Sequence, residues 1–263
     1  MKTNISTLAI PKLMAKFSNR ESVRKGELWD FYYLRNPDLT EQAFRRILYS
    51  LEKEGRIIPI GAGIYGLLNP FLSSNKKKFV PNLSPTAEEL SLEVSEYYPY
   101  TQYITWETRV LHEFMTHQPG QNQIILEIEK EATESVFNKL KEQQFRNIFL
   151  EPDSVIFERY IIDSPESILL LHLVTQSPKI KTKGVVSARL EKILVDIFSD
   201  EDLFFTFHGQ EMINIFENAF SMYWINLKTL FRYAGRRKVV EKLKYFINTE
   251  TRIKLSKPLE NIE

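Results

Sequence analysis

The sequence predicts an α+β chain in two parts: a small N-terminal helix-and-hairpin domain, then a mixed α/β domain with a helical C-terminal part. Three observations carry the prediction. First, residues 40–67 read as one helix followed by a tight two-stranded ribbon. Ala43, Phe44, Ile47, Leu48 and Leu51 fall at the spacing of a buried helix face, and Gln42, Arg45, Arg46, Tyr49 and Ser50 occupy the opposite one. Second, strand-type runs alternate with helical ones from Thr86 onward, the pattern of a sheet with helices against it. Third, from Arg189 the apolar spacing is helical almost to the end.

The N-terminal elements follow in order. Leu8, Leu13, Met14 and Phe17 space a first helix within residues 1–20, and Val23, Leu28, Trp29, Phe31, Tyr32 and Leu34 a second over residues 21–35. Asn36-Pro37-Asp38 is a turn, because proline disfavours helix in the residue before it. Thr40 caps the third helix with a hydroxyl that accepts a free first-turn N–H. Gly55 stops that helix at a position that wants positive φ. Residues 57–60 and 64–67 then pair around Gly61-Ala62-Gly63. Helix, glycine stop and hairpin form the ending of a winged helix-turn-helix domain, in which the helix enters the DNA major groove and the hairpin lies beside it. The domain spans residues 1–72 and closes near Asn69-Pro70. A linker over 73–85 contains Ser73, Ser74, Lys76-Lys77-Lys78, Pro81 and Pro85.

The second domain spans 86–263. Helices are predicted at 87–97, 107–116 and 132–144, and strands at 103–106, 123–128, 147–150, 155–161 and 167–174. Residues 185–188 lead into helices at 189–198, 210–223, 226–234 and 238–247. The tail after Thr249 reads as frayed.

Charge separates the parts. The chain has 263 residues and a net charge of +1. Residues 1–79 hold 14 Lys/Arg against 7 Asp/Glu, residues 80–227 hold 11 against 23, and residues 228–263 hold 10 against 4. A basic head and tail suit phosphate, and an acidic middle repels it. Arg24, Lys25 and Arg35, with Arg20, are candidate phosphate contacts. Gln42, Arg45 and Arg46 are candidates for base edges, since Arg pairs well with guanine and Gln with adenine. Thr40, Tyr49 and Gly63 complete the DNA-facing set of helix and hairpin. Arg232, Arg236, Arg237 and Lys238 form a second basic patch, for nucleic acid or for the acidic face of a partner.

The sequence predicts no catalytic residues, no metal and no cofactor. His112 and His117 are five apart, which sets them about 140° apart on a helix rather than in line. No phosphate-loop or nucleophile-elbow motif occurs. Glu127 and Glu129, before Lys130, give an alternative: a metal-dependent nuclease. A protein–protein module without DNA binding is the other. Zero cysteines exclude disulfides, and the lack of a long apolar run or leader pattern predicts a cytoplasmic protein with no membrane partner.

The head, AFRRILYSLEKEGRIIPIGAGIYGL, resembles the N-terminal winged helix of AbiEi-type antitoxins of the abortive-infection AbiE system. The segments WETRVLHEFMTHQPG, LEIEKEATESVFNKLKEQQF, GVVSARLEKILVDIFSD and INLKTLFRYAGRRKVVEKL are similar to a Bacteroidetes-type, AbiEi-related family, so the resemblance covers about residues 5–247. It implies a transcriptional regulator that binds double-stranded DNA in its own promoter and represses its own operon. It also implies an antitoxin domain that counteracts a nucleotidyltransferase toxin without a stable complex. It would set Gln42, Arg45 and Arg46 on the recognition helix and Gly61 to Tyr65, Gly63 included, in the wing. It brings no catalytic residues.

Overall fold

The computed structural model describes residues 8–18, 20–61, 63–68, 76–143, 145–182 and 184–255. The protein is mixed α+β, with helices and two sheets, and its chain forms two compact units. Unit 1 comprises the described residues of Met1–Lys78 with Ser221–Lys228. Unit 2 comprises Phe79–Phe220 and the described residues after Lys228.

Unit 1 runs α1 (Ile10–Lys16), β1 (Ser22–Arg24), α2 (Lys25–Tyr33), α3 (Glu41–Lys53), β2 (Ile57–Gly61) and β3 (Ile64–Leu67). The strands make an antiparallel sheet in the order β1-β3-β2, with Val23 opposite Tyr65 and Ile58 opposite Gly66. The helices close over it around Leu13, Leu28, Phe31, Phe44, Leu51 and Leu67. Thr40 starts α3 as expected: its hydroxyl accepts from the Ala43 N–H at 3.2 Å. Gly55 takes φ +63 at the other end. The Tyr32 hydroxyl, buried, donates to the Leu8 carbonyl at 2.6 Å and ties α2 to the segment before α1.

One prediction in this unit needs correction. Residues 21–35 are not a single helix, because Ser22–Arg24 is a strand. Val23 has the edge of β3 to pair with, and the chain turns helical at Arg24, where the Glu27 carboxylate accepts the Arg24 N–H at 2.8 Å. Ala62 of the hairpin turn, Asn69-Pro70, and Ser73 and Ser74 of the linker lie outside the described residues, as do residues 1–7 of the first predicted helix.

Ser221–Lys228, which the sequence divides into the second domain, completes unit 1. Lys77 donates its N–H to the Met222 carbonyl and accepts from the Trp224 N–H, at 2.8 and 3.0 Å. Trp224 lies flat against Gly66, so close that a Cβ there would stand 2.7 Å from the indole. Asn226 donates to the Pro59 carbonyl at 2.9 Å.

Unit 2 contains α4 (Pro85–Tyr97), β4 (Tyr103–Glu107), β5 (Asn122–Ile128), α5 (Thr133–Glu142), β6 (Ile148–Leu150), the helical turn α6 (Ser154–Ile156), β7 (Glu166–His172), β8 (Lys179–Thr182) and β9 (Val185–Ala188). The helices α7 (Leu190–Ser199), α8 (Gln210–Met222), α9 (Leu227–Arg236) and α10 (Val240–Thr249) follow, the inner ends of α8 and α9 belonging to unit 1. The sheet order is β6-β7-β5-β4-β9-β8. β6, β7 and β5 are parallel, β4 is antiparallel to β5, and β9 is parallel to β4. Every residue of β5 is buried, as befits a strand covered on both faces.

Two further expectations change here, and a strand pair appears where none was predicted. Residues 155–161 are helical: the Asp153 carboxylate accepts from the Ile156 N–H at 2.8 Å, and the turn widens to π-type over Phe157–Ile161. Residues 107–116 split between the end of β4 and a 3-10 turn over Thr108–Phe114. β8 and β9 pair antiparallel, with Gly184 at φ +88 just before β9. Gln144, the predicted end of α5, and residues 256–263 of the tail lie outside the described residues. Among the described residues no helix is long and apolar enough to cross a membrane.

Candidate functional site

In unit 1, α3 buries Phe44, Ile47, Leu48 and Leu51 and exposes Gln42, Arg45, Arg46 and Tyr49, the last at 68%. The four exposed positions fall on successive turns of one face. Arg45 reaches back to Glu41, Nη2 to Oε2 3.2 Å, a pair open to solvent on both sides and so weakly held. Thr40 spends its hydroxyl on the helix cap.

The hairpin turn and the start of α2 meet. The Lys25 N–H donates to the Gly63 carbonyl at 2.7 Å, and a Cβ at Gly63, φ +70, would touch the Lys25 side chain. Arg24, Lys25 and Gly63 are exposed together there. Tyr65 is half-buried against the core, and burial, reinforced by Glu52, raises its phenol pKa.

Two predicted phosphate contacts are engaged within the fold. Arg35 stacks on Phe31, 3.6 Å from the ring centre, and donates to the Phe31 carbonyl at 2.7 Å. Arg20 binds the Glu27 carboxylate with both terminal nitrogens and holds its pKa below the usual range.

The second basic patch divides. Arg232 and Lys238 are exposed, and Lys238 takes φ +60. Arg236 donates to the Thr175 hydroxyl. Arg237 turns inward: its side chain is 24% exposed and donates to Ser199 Oγ at 2.7 Å, with Asp196 at 3.5 Å and Asp200 at 3.7 Å. It is corrected from surface residue to member of a buried ion cluster.

That cluster lies in unit 2. Lys192, fully buried, contacts Glu127 Oε1 and Asp196 Oδ2 through its ammonium. Trp106 Nε1 donates to the same Glu127 oxygen at 3.2 Å, and the Tyr233 hydroxyl donates to Asp196 Oδ1 at 2.8 Å. Burial works to lower the Lys192 pKa, but Asp196 and Glu127 outweigh it, and the ammonium stays charged. Burial raises the Glu127 pKa, with Lys192 opposing. Of the two carboxylates the sequence pairs, Glu127 meets Lys192 and Trp106, while Glu129 stands beyond the end of β5.

The sequence reading missed Trp106, Lys192, Asp196 and Tyr233. A signal was present: Lys192/Asp196 and Tyr233/Arg237 are both i, i+4 pairs, the first on a helix that is apolar at its other positions apart from Glu191 and Ser199. Polar residues at core-facing spacing are unfavourable unless partnered.

No curated protein matches the chain significantly. A model of a family of unknown function, DUF6577, matches residues 43–253, from α3 through the hairpin and across unit 2. The chain belongs to that family.

Proposed function

We propose that unit 1 is a winged helix that binds double-stranded DNA, and that the protein is a transcriptional regulator acting on its own promoter. One observation carries the reading: α3 presents Gln42, Arg45, Arg46 and Tyr49 as a continuous exposed face while its opposite face is locked into the core. The element order supports it. Helix, strand, two helices and a hairpin, with the first strand pairing onto the hairpin, is the order of a winged helix. The +7 charge of residues 1–79 favours phosphate.

In this reading α3 enters the major groove. Arg45, Arg46 and Gln42 carry donors of the length and geometry that base edges accept. Lys25 and Arg24, beside the turn at Gly63, touch the backbone of the same duplex. The antitoxin-like role is part of the same proposal and falls to unit 2. It rests on the resemblance to AbiEi-type antitoxins alone, as does the nucleotidyltransferase toxin as functional partner. A cytoplasmic location goes with a regulator of DNA.

The test is a gel shift of the full chain on DNA from upstream of its own gene, at low and at moderate salt. A shift that survives competitor DNA, and disappears in Arg45→Glu/Arg46→Glu with the melting curve unchanged, is expected. Retained binding in the double variant would remove α3 as the reading element. No shift at low salt would favour a protein-binding module.

A further inference from the structure

The segment Ser221–Lys228 belongs to unit 1 although it lies far downstream of the hairpin. It is anchored on the hairpin strands at successive positions. The Trp224 indole lies against Gly66 of β3. The Asn226 side chain donates to the carbonyl of Pro59 in β2, 167 residues back along the chain, at 2.9 Å. At Gly61, where β2 ends, a Cβ would stand 3.4 Å from the Lys228 backbone nitrogen and 3.6 Å from the Lys228 Cβ. The backbone of Lys228 is therefore fixed beside the hairpin turn.

Lys25 stands at the other end of the same turn. Its N–H donates to the Gly63 carbonyl at 2.7 Å, and a Cβ on Gly63 would stand 3.7 Å from the Lys25 Cβ. The turn is thus flanked by two lysines, one from the start of α2 and one from the start of α9. Both side chains are exposed. The ion pairs of unit 1 engage Arg20 and Arg45, and among the described residues neither Lys25 nor Lys228 enters one. Residues 221–228 contain no Asp or Glu, so the segment brings unit 1 a cation and no anion. The position does nothing for α9 itself. A cation in the first turn opposes the helix dipole, and that turn has no acidic residue to offset it.

We propose that Lys228 is a phosphate contact of the DNA interface, and that residues 221–228 are a working part of the wing. The occupant is the sugar-phosphate backbone of the duplex whose major groove takes α3, so the inference rests on that reading of unit 1. Lys25 and Lys228 meet phosphates on either side of the turn. They add affinity and fix orientation, and they read no sequence. The DNA-binding unit is then discontinuous along the chain: α3 reads the bases, and a segment beyond the large sheet supplies part of the grip.

The experiment measures binding of the full chain to a duplex from upstream of its own gene, by fluorescence anisotropy over a series of salt concentrations. Wild type, Lys228→Gln and Lys228→Arg are compared, each with its melting curve. Lys228→Gln should make the slope of log K against log salt shallower by about 0.9 and weaken binding about fivefold or more at about 0.1 M salt. Lys228→Arg keeps the charge and should keep both slope and affinity. Preference for this duplex over competitor DNA should be the same in all three. A wild-type slope in Lys228→Gln would overturn the inference and leave the reading of α3 intact. So would weaker binding at an unchanged slope, which is the result of a purely structural role. Absence of binding by wild type even at low salt would sink the reading of unit 1, and this inference with it.

Discussion

Lys192 carries a full charge at 0% exposure, which is tolerated only because Glu127 and Asp196 both touch it. Removing one member leaves the others buried and uncompensated. Lys192→Met should therefore cost about 3–5 kcal/mol, read as a lowered urea midpoint. Glu127→Gln combined with Lys192→Met should cost less than Lys192→Met alone, because one orphaned carboxylate is then gone. A double-variant loss equal to the sum of the two single losses would mean the pair is not coupled. Tyr233 makes the cluster sensitive to alkali. Burial first, and Asp196 second, raise its phenol pKa above the ordinary value of about 10. The folded state therefore keeps a proton that the unfolded chain has lost. The stability this contributes is complete below about pH 10 and falls by about 1.4 kcal/mol per pH unit above it. Urea melts at rising alkaline pH should show that decline in wild type and a shallower one in Tyr233→Phe. Of these pairings only Lys192 with Asp196 leaves a mark in the sequence, as an i, i+4 pair; those with Glu127, Trp106 and Tyr233 leave none. Apolar periodicity marks Leu190, Ile193, Leu194 and Ile197 as the inner face of their helix, and it does not say that Lys192 and Asp196 are enclosed as well.

At the scale of elements, α3 is the one most nearly determined by its own residues. Its cap, its apolar stripe and its glycine stop are all local, and all three form. Thr40→Ala should cost about 1 kcal/mol through loss of the cap, measured as a lower melting temperature with the helix content otherwise intact. The third strand of the hairpin's sheet was not legible. Ser22–Arg24 has helical-looking spacing and becomes strand only because β3 offers an edge. The π-type turn over Phe157–Ile161 is similar: with Val155 and Ile156 ahead of it, its Phe, Tyr and Ile suit a strand, yet the Asp153 cap starts a helix instead. Gly66 shows the opposite case, a local sequence with no visible reason. In the structure it is glycine because the Trp224 indole occupies the space of a Cβ. Gly66→Ala should destabilise by about 1–3 kcal/mol through overpacking. Gly66→Ala with Trp224→Leu should recover part of that loss, and a purely additive pair would show that the indole is not the obstacle.

For the molecule as a whole, charge is segregated along the chain, and the prediction is an ionic-strength one. If unit 1 binds DNA, log K should fall linearly with log salt concentration, with a slope of about −0.9 per neutralised phosphate. Arg45→Ala/Arg46→Ala should make that slope shallower by about 1 for each arginine that had neutralised a phosphate. A loss of sequence preference with the slope unchanged would mean that both arginines meet base edges instead. The basic run Lys76-Lys77-Lys78 belongs to unit 1, where Lys76 lies over the Trp224 ring and Lys77 pairs with Met222 and Trp224 through its backbone. What the sequence reads as a linker is thus partly a built element of that unit.

The sequence by itself determined the α+β class, the helix-and-hairpin at residues 40–67, most strands of the large sheet and the basic face of α3. Each is set by neighbours within a few turns or by alternation along one strand, which is information that lies in consecutive residues. The tertiary structure alone decided the strand at Ser22–Arg24, the return of Ser221–Lys228 to the hairpin, and the cluster that joins β4, β5, α7 and α9. These depend on partners tens to well over a hundred residues apart. The burial that makes an edge pairable, a glycine obligatory or a lysine dependent on two carboxylates exists only once the chain has closed on itself.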